Sequence, residues 1–315
     1  MHRIGYVLTE GFQVLALATQ SVFEFANIVV GETFYAVENY SAAGGEVRAS
    51  LGLLVSTRAL ADNSEADTWI FTGVIQPLAR QTPAAELAFA RKVSPQARRI
   101  AAICTGSFVL AEAGLLSGRR ATTHWAHARD MQKLYPEILV EDDRIYVIDG
   151  PVWTSAGMTA GLDLALAMVE KDLGADIARS VAHKLVMYQR RSGGQSQHSE
   201  LLDLAPKSDR IQSALEYARK NLNQALTVED LAKSAHLSPR QFSRVFTAET
   251  GQSPAKAIEG LRLEAARLMI EQSRHPLEVV AHETGFRDRR HLREAFIRGF
   301  GIPPQAVRRE VRERA

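Results

Sequence analysis

Cys104 is the only cysteine in 315 residues, so no disulfide can form within the chain. No apolar run approaches the length that a membrane-crossing helix needs. The opening, MHRIGYVLTEGF, lacks the layout of a secretory signal, and with the lone thiol this makes the cytoplasm the expected compartment. His183, His198 and His282 share no ligand spacing, and the paired acids Asp142-Asp143 read as a solvated turn; neither a metal nor a cofactor is expected. Gly44-Gly45 reads as an ordinary hairpin turn. The net charge of +2 says little until it is divided. Residues 208–315 carry 19 Lys+Arg against 14 Asp+Glu, a balance of +5, whereas residues 1–207 carry −3. One end of the chain therefore has the sign that a phosphate backbone attracts.

With 46% apolar residues the chain has material for two packed cores. Its positive end contains one pattern twice, LTVEDLAKSAHLSPRQFSRVFTAETGQSP and PLEVVAHETGFRDRRHLREAFIRGFGIPP. Phe246 and Phe296, Gly251 and Gly301, and Pro254 and Pro304 lie 50 positions apart; Ala232 and Ala281 lie 49 apart, so the slip falls in a turn. Two copies are too few for a stacked array and point to a pair of helix-turn-helix units. In the first, Thr227 caps a short helix with Asp230 three residues on, His236-Leu237 turns, and Ser238-Pro239 opens a second helix that Gly251 stops. In the second, Thr284-Gly285-Phe286 makes the turn. The second helix of such a unit fits the major groove, which gives Ser238, Arg240, Gln241, Ser243 and Arg244 in one copy, and Arg289, Arg290, His291 and Arg293 in the other, as candidate DNA contacts. Arginine pairs bidentately with guanine and glutamine with adenine, each worth about 1–3 kcal/mol of discrimination.

Residues of about 209–310 resemble the DNA-binding domain of AraC/XylS-type transcription regulators, with Ser253 to Glu271 as the long helix that joins the two units. The resemblance rests on Val280-Ala281, Gly285-Phe286, Phe296, Phe300-Gly301 and Pro304. His291-Leu292 departs from it, since the family commonly has an aromatic pair there.

The first half alternates short β-rich runs with helical ones. Strands are expected at Ile4–Leu8, Tyr35–Tyr40, Trp69–Thr72, Ile100–Ile103, Ala121–Thr123, Ile145–Ile148 and Val152–Thr154. Helices are expected at Ala84–Val93, Gly106–Ala113, Trp125–Leu134 and Ala160–Val169. The alternation predicts an α/β fold, a mostly parallel sheet covered by helices on both faces. Gly174 to Gln189 reads as a further amphipathic helix, with Ile177, Val181, Leu185 and Tyr188 on one face; whether it packs on its own domain or on a second copy is open. RRSGGQSQHSE, residues 190–200, reads as a polar linker that lets the two parts reorient. The expected division is residues 1–188, a linker over 189–207, and residues 208–315.

Within RRIAAICTGSFVLAEAGLLSGRRATTHW, a strand ends at Ile103, Cys104 sits on the turn, and Gly106 permits a close approach before the next helix. This is the layout of a nucleophile elbow, and a helix amino terminus there favours thiolate or a bound anion. The region resembles the ThiJ/PfpI, glutamine-amidotransferase-like domain over about residues 3–172, on Ala102 to Gly106, Ala121 to Trp125 and Thr154 to Gly157. The whole chain resembles the GlxA-type subgroup of AraC/XylS regulators, which implies a flavodoxin-like sheet domain followed by an all-α domain. In enzymatic relatives the elbow cysteine works with a histidine and with an acid after the first strand. Here Thr105 stands where PfpI-type peptidases have histidine, Gly11 to Leu17 offers no carboxylate, and Glu10 and Glu24 lie to either side.

A cysteine nucleophile needs a base, and the base needs orienting. The reading is therefore a DNA-binding regulator, an activator, whose first domain senses a small molecule without transforming it. Cys104, Thr105, Gly106, His124, Trp125 and Trp153 are the candidate ligand residues, the two tryptophans as an aromatic wall for a cationic amine. The resemblance implies an amino acid or a quaternary amine as effector, with operator DNA and RNA polymerase as partners; a homodimer is left open. The alternative is a cysteine-dependent amidase or hydrolase tethered to DNA. A redox sensor at Cys104 is disfavoured for want of a resolving thiol.

Overall fold

The computed structural model describes the chain apart from Asp62, Tyr188, Gln189, Ser192, residues 198–203, Ala205 and Ala315. Tyr188 and Gln189 of the expected helix, and His198 to Glu200 of the expected linker, thus lie outside the described residues. The chain divides into two units, Met1–Gln197 and His198–Ala315.

The first unit is built on an eight-stranded sheet of order β3-β4-β2-β1-β5-β6-β10-β9. Its strands are β1 (His2–Val7), β2 (Tyr35–Ser41), β3 (Gly45–Arg48), β4 (Leu54–Ala59), β5 (Thr68–Phe71), β6 (Arg99–Ala102), β9 (Tyr146–Asp149) and β10 (Val152–Ser155). All pairings from β4 to β10 are parallel; β3–β4 and β10–β9 are antiparallel. The central strands β5 and β6 are buried along their whole length, as a sheet covered on both faces requires. One face carries α1 (Gln20–Val30), α5 (Met158–Leu173) and α6 (Ala175–Lys184), and the other α2 (Ala84–Val93) and α3 (Ser107–Glu112). Helix α6 buries Ala178, Val181 and Ala182 in its own unit's core.

Three local expectations change. Gly44-Gly45 does not turn a hairpin between β2 and β3; it carries the chain past β2 so that β3 pairs with β4, and the hairpin turn is at 49–53. The run Ala121–Thr123 does not join the main sheet. Strand β7 (Arg120–Ala121) pairs with β8 (Leu139–Val140) in a separate two-stranded sheet, and Thr122 and Thr123 leave it towards α4 (Trp125–Leu134).

The third concerns the linker, whose described residues from Arg190 to Gln197 are docked on the first unit. Arg191 donates from its amide and Nε to the two oxygens of the buried Asp163 carboxylate, both at 2.8 Å. Arg190 pairs with Glu170. Arg144 donates to the Gly194 carbonyl and the Ile145 amide to Gln195 O, so the segment runs along β9 as a strap. Polar composition alone reads as a mobile linker; here Arg190 and Arg191 have found partners on α5, and Gly194 and Gln195 accept from the residues that lead into β9.

The second unit is helical: α7 (Asp209–Lys220), α8 (Val228–Ser234), α9 (Pro239–Thr250), α10 (Pro254–Gln272), α11 (Leu277–Glu283), α12 (Arg289–Phe300) and α13 (Pro304–Arg314). Its apolar residues form two cores, one around Phe242 and Phe246 and one around Leu292 and Phe296. Helix α10 serves both, with Ala257, Ile258 and Leu261 in the first and Leu263, Ala266 and Ile270 in the second.

Candidate functional site

The carboxyl ends of β1, β5 and β6 meet where the strand order reverses, the place where open α/β sheets hold ligands. Cys104 sits there at φ +56°, in the left-handed region that a side chain adopts only when its surroundings force it. The elbow closes because two glycines leave no side chain in the way. A Cβ on Gly106 would lie 2.3 Å from the Phe71 carbonyl oxygen, and one on Gly73 would lie 2.2 Å from Thr105 Oγ1. Thr105 donates to the Val74 carbonyl at 2.6 Å, and the Ser107 and Thr123 hydroxyls donate to the Cys104 carbonyl at 3.0 and 3.2 Å.

The chemistry of the thiol follows from this packing. Cys104 is 4% exposed, and burial pushes its thiol up to about 11 against the opposing Thr105 amide and hydroxyl. The expected gain of thiolate at a helix amino terminus is overruled: a 3-10 turn over Cys104–Gly106 and the six-residue α3 offset little of the lost hydration. At pH 7 thiolate is on the order of one part in ten thousand. Cys104 Sγ instead donates to Gln13 Oε1 at 3.8 Å. Gln13 was the residue that sequence reasoning passed over. It stands in the turn after β1, where enzymatic relatives place an acid, and as a neutral amide it accepts the thiol proton's hydrogen bond without being able to remove that proton.

His124 Nδ1 accepts the Ala126 amide at 3.2 Å as the N-cap of α4. Trp125, beside it, is 53% exposed. Trp153 departs from expectation. Its ring is buried in the core, two residues short of the carboxyl end of β10, beneath the Arg99 guanidinium at 5.4 Å, and its Nε1 donates to Gly150. The aromatic wall therefore loses Trp153, because its ring lies against Arg99 at the start of β6 and bonds Gly150 ahead of β10, towards the opposite end of the sheet.

The strap ends at this same turn. Gln197 Nε2 donates to Thr122 Oγ1, Thr123 O and Asp142 O at 3.3, 3.0 and 2.9 Å, and its Oε1 accepts the Trp125 amide at 2.9 Å. Asp143, expected to be solvated, accepts from Ser196 Oγ and the Gln197 amide at 2.6 and 3.0 Å. One side chain thus connects the last residue of the first unit to Thr123, which itself holds the Cys104 carbonyl.

In the second unit, Ser238 and Gln241 form a reciprocal capping box at the start of α9, with Gln241 Oε1 accepting from both Ser238 N and Ser238 Oγ. That corrects the expectation for Gln241: its carbonyl is engaged in the cap, so bidentate adenine pairing requires the cap to open. Arg240 and Arg244 lie exposed, four residues apart on one face, and Ser243 is half-buried between them. On α12, Arg289, Arg290 and Arg293 are exposed. Arg289 reaches Glu278 at 3.4 Å and Arg290 reaches Glu294 at 2.9 Å. His291 is turned inward, its ring edge-on to the buried Phe286 at 5.3 Å while its Nδ1 accepts the Arg287 amide at 3.3 Å. It supports the turn in place of a free contact.

Residues 19–171 match the DJ-1/PfpI family and residues 231–310 match a helix-turn-helix domain. The chain is 31% identical to the HTH-type transcriptional regulator CdhR of Pseudomonas aeruginosa, over 96% of this chain and 92% of that protein. It is 30% identical to the HTH-type transcriptional regulator GlxA of Rhizobium meliloti, over 98% and 96%. Among solved structures, an AraC family transcriptional regulator from Pseudomonas putida shares the fold over 59% of this chain and 100% of its own, with a TM-score of 0.53 at 19% identity.

Proposed function

Because the chain belongs to the HTH-type transcriptional regulators that join a DJ-1/PfpI domain to an AraC-type helix-turn-helix domain, we propose that it activates transcription in answer to a small nitrogenous metabolite held in the Cys104 crevice. DNA binding belongs to the second unit, and the observation that carries it is the doubled unit on a shared helix. Helix α10 has 19 residues, which at 1.5 Å each makes it about 28 Å long. That is of the order of one turn of DNA, roughly 34 Å, which supports two recognition helices that meet the same face of the duplex. RNA polymerase is the partner that an activator bound this way recruits.

The protonated, amide-bound thiol favours a sensor over a cysteine hydrolase, since burial keeps it from ionising and Gln13, the side chain it donates to, cannot take its proton. The strap supplies the route to the DNA-binding unit: a ligand that moves Cys104 or Thr123 moves Gln197, the residue before that unit begins. In the full-length protein, footprints should show two protected elements about 10 bp apart. Cys104→Trp should abolish the metabolite response and leave operator binding intact, and Gln197→Ala should keep both binding events and uncouple them. Footprints confined to one groove would reject the bipartite reading; repeated turnover of a bound metabolite, lost in Cys104→Ser, would replace the sensor with the hydrolase.

A further inference from the structure

Beside the elbow lies a cavity of about 30 Å³, bounded by Thr9, Thr72, Arg80, Glu86, Thr105 and Phe108. Glu86, in the first turn of α2, is 2% exposed. A carboxylate is rarely buried so far without an ion pair, and the Arg80 charge is the weakest of the influences acting on Glu86. The Thr9 hydroxyl lies near enough to Glu86 to favour its charge, yet it is buried with no hydrogen bond of acceptable geometry. The other two hydroxyls are already committed as donors, Thr72 to the Val7 carbonyl at 3.0 Å and Thr105 to the Val74 carbonyl at 2.6 Å. Their remaining lone pairs make the lining one of acceptors. Arg80, the cationic member of the lining, is exposed and donates to the Glu10 carbonyl.

We propose that this cavity is the head-group subsite of the effector and that it takes a primary ammonium group, with Glu86 as counter-ion and the threonine oxygens as further acceptors. The proposal rests on the sensor reading and deepens it. An ammonium group has three donors and the lining offers acceptors for each. Size separates it from the alternative: a space of about 30 Å³ holds a group the size of a water, and a trimethylammonium head, larger by three methyl groups, overfills it. Arg80 is placed to meet the carboxylate of an amino acid whose ammonium lies inside. Burial, opposed by the Thr9 hydroxyl and by Arg80, raises the Glu86 carboxyl to about 7, so the subsite gains its charge between pH 6 and 8.

The test uses the full-length protein and thermal shift, with the protein amino acids and the N-trimethyl derivative of each as probes. At least one amino acid should raise the melting temperature, its trimethyl derivative should not, and Glu86→Gln should lose the shift while the ligand-free variant melts no lower than the wild type. Affinity for that amino acid should rise roughly tenfold from pH 6 to pH 8 as Glu86 ionises, and the rise should vanish in Glu86→Gln. A trimethyl derivative that binds as well as its parent overturns the proposal, as does binding that survives in Glu86→Gln, or an absence of binding by every amino acid. If a metabolite without a primary amine binds and Cys104→Trp blocks it, the sensor reading stands without this subsite. If no metabolite binds the full chain, both fall.

Discussion

The two helix-turn-helix units are copies on one scaffold, and they differ where a copy is free to differ. Their cores match position for position, Phe242 with Leu292 and Phe246 with Phe296. Their turns do not. The first turns through His236, a side chain held at φ +53°; the second turns through Gly285 at φ +78°. Their reading faces differ in charge as well. Arg240 and Arg244 stand exposed on α9, but at the corresponding places on α12 Arg290 is bound to Glu294. The first face is cationic, while the second carries its own carboxylate, which accepts from cytosine as readily as it restrains arginine. The duplication thus supplies geometry twice and sequence preference once per copy.

The largest effect should come at the turn. A Cβ on Gly285 would lie 1.9 Å from the Leu222 carbonyl oxygen and 2.6 Å from Arg262 Nε, the side chain that holds Leu222 and Gln224 by their carbonyls. Gly285→Ala should therefore cost about 3 kcal/mol or more, read by urea unfolding, and loosen the second unit's hold on its DNA element.

Next come the arginines. Arg240→Ala should cost about 1–3 kcal/mol in binding and relax preference in one operator element. Arg290→Ala should cost less in the other, because Arg290 must first leave Glu294. Glu294→Gln removes that restraint and should bring the two elements closer in affinity, with a steeper fall of binding with salt. Equal losses for Arg240→Ala and Arg290→Ala would erase the distinction between the faces.

A smaller difference lies in the caps. Asp288 caps α12, and the His291 amide, followed by the Arg287 side chain, holds its carboxyl below the ordinary range. The folded value is depressed, so the stability it contributes is present above the unfolded value and is lost as pH falls through the folded one. Below about pH 4 the first turn of α12 should lose hydrogen-exchange protection before that of α9, whose Ser238–Gln241 cap does not titrate. Simultaneous loss would mean that the caps do not act separately. The least effect is expected at His236, where His236→Gly should relieve the left-handed backbone and stabilise the unit by up to about 1 kcal/mol.

Much of the architecture was legible because it is written in local signals. The capping residues Thr227 and Ser238, the stop at Gly251 and the bounds of α2 and α4 follow from short-range chemistry. The edge of the sheet was less so. Strand β4 is largely exposed and has no apolar run to mark it, and Gly44-Gly45 has the composition of a hairpin turn without its pairing. At the crevice, the spacing around Cys104 pointed to the elbow, and the neighbours that set its chemistry lie far off in the chain. Gln13 and Glu86 carry no motif. Trp153 looked available because it stands at a strand, and only its contacts with Arg99 and Gly150 show which end it faces.

By itself the sequence determined the two units, the doubled helix-turn-helix, the elbow at Cys104 and the sign of charge at each end, all of which depend on order and spacing along the chain. Tertiary structure decided which polar groups are spent and which remain. Gln241 closes a cap, His291 braces a turn, and the described residues of 190–197 become a strap because partners at 20 to 75 positions' distance lie within hydrogen-bonding reach. Burial decided the rest. The same thiol and the same carboxyl that would be ordinary in water become a protonated Cys104 and a Glu86 poised near neutrality, since removing a group from water acts on its charged form and no linear pattern records that removal.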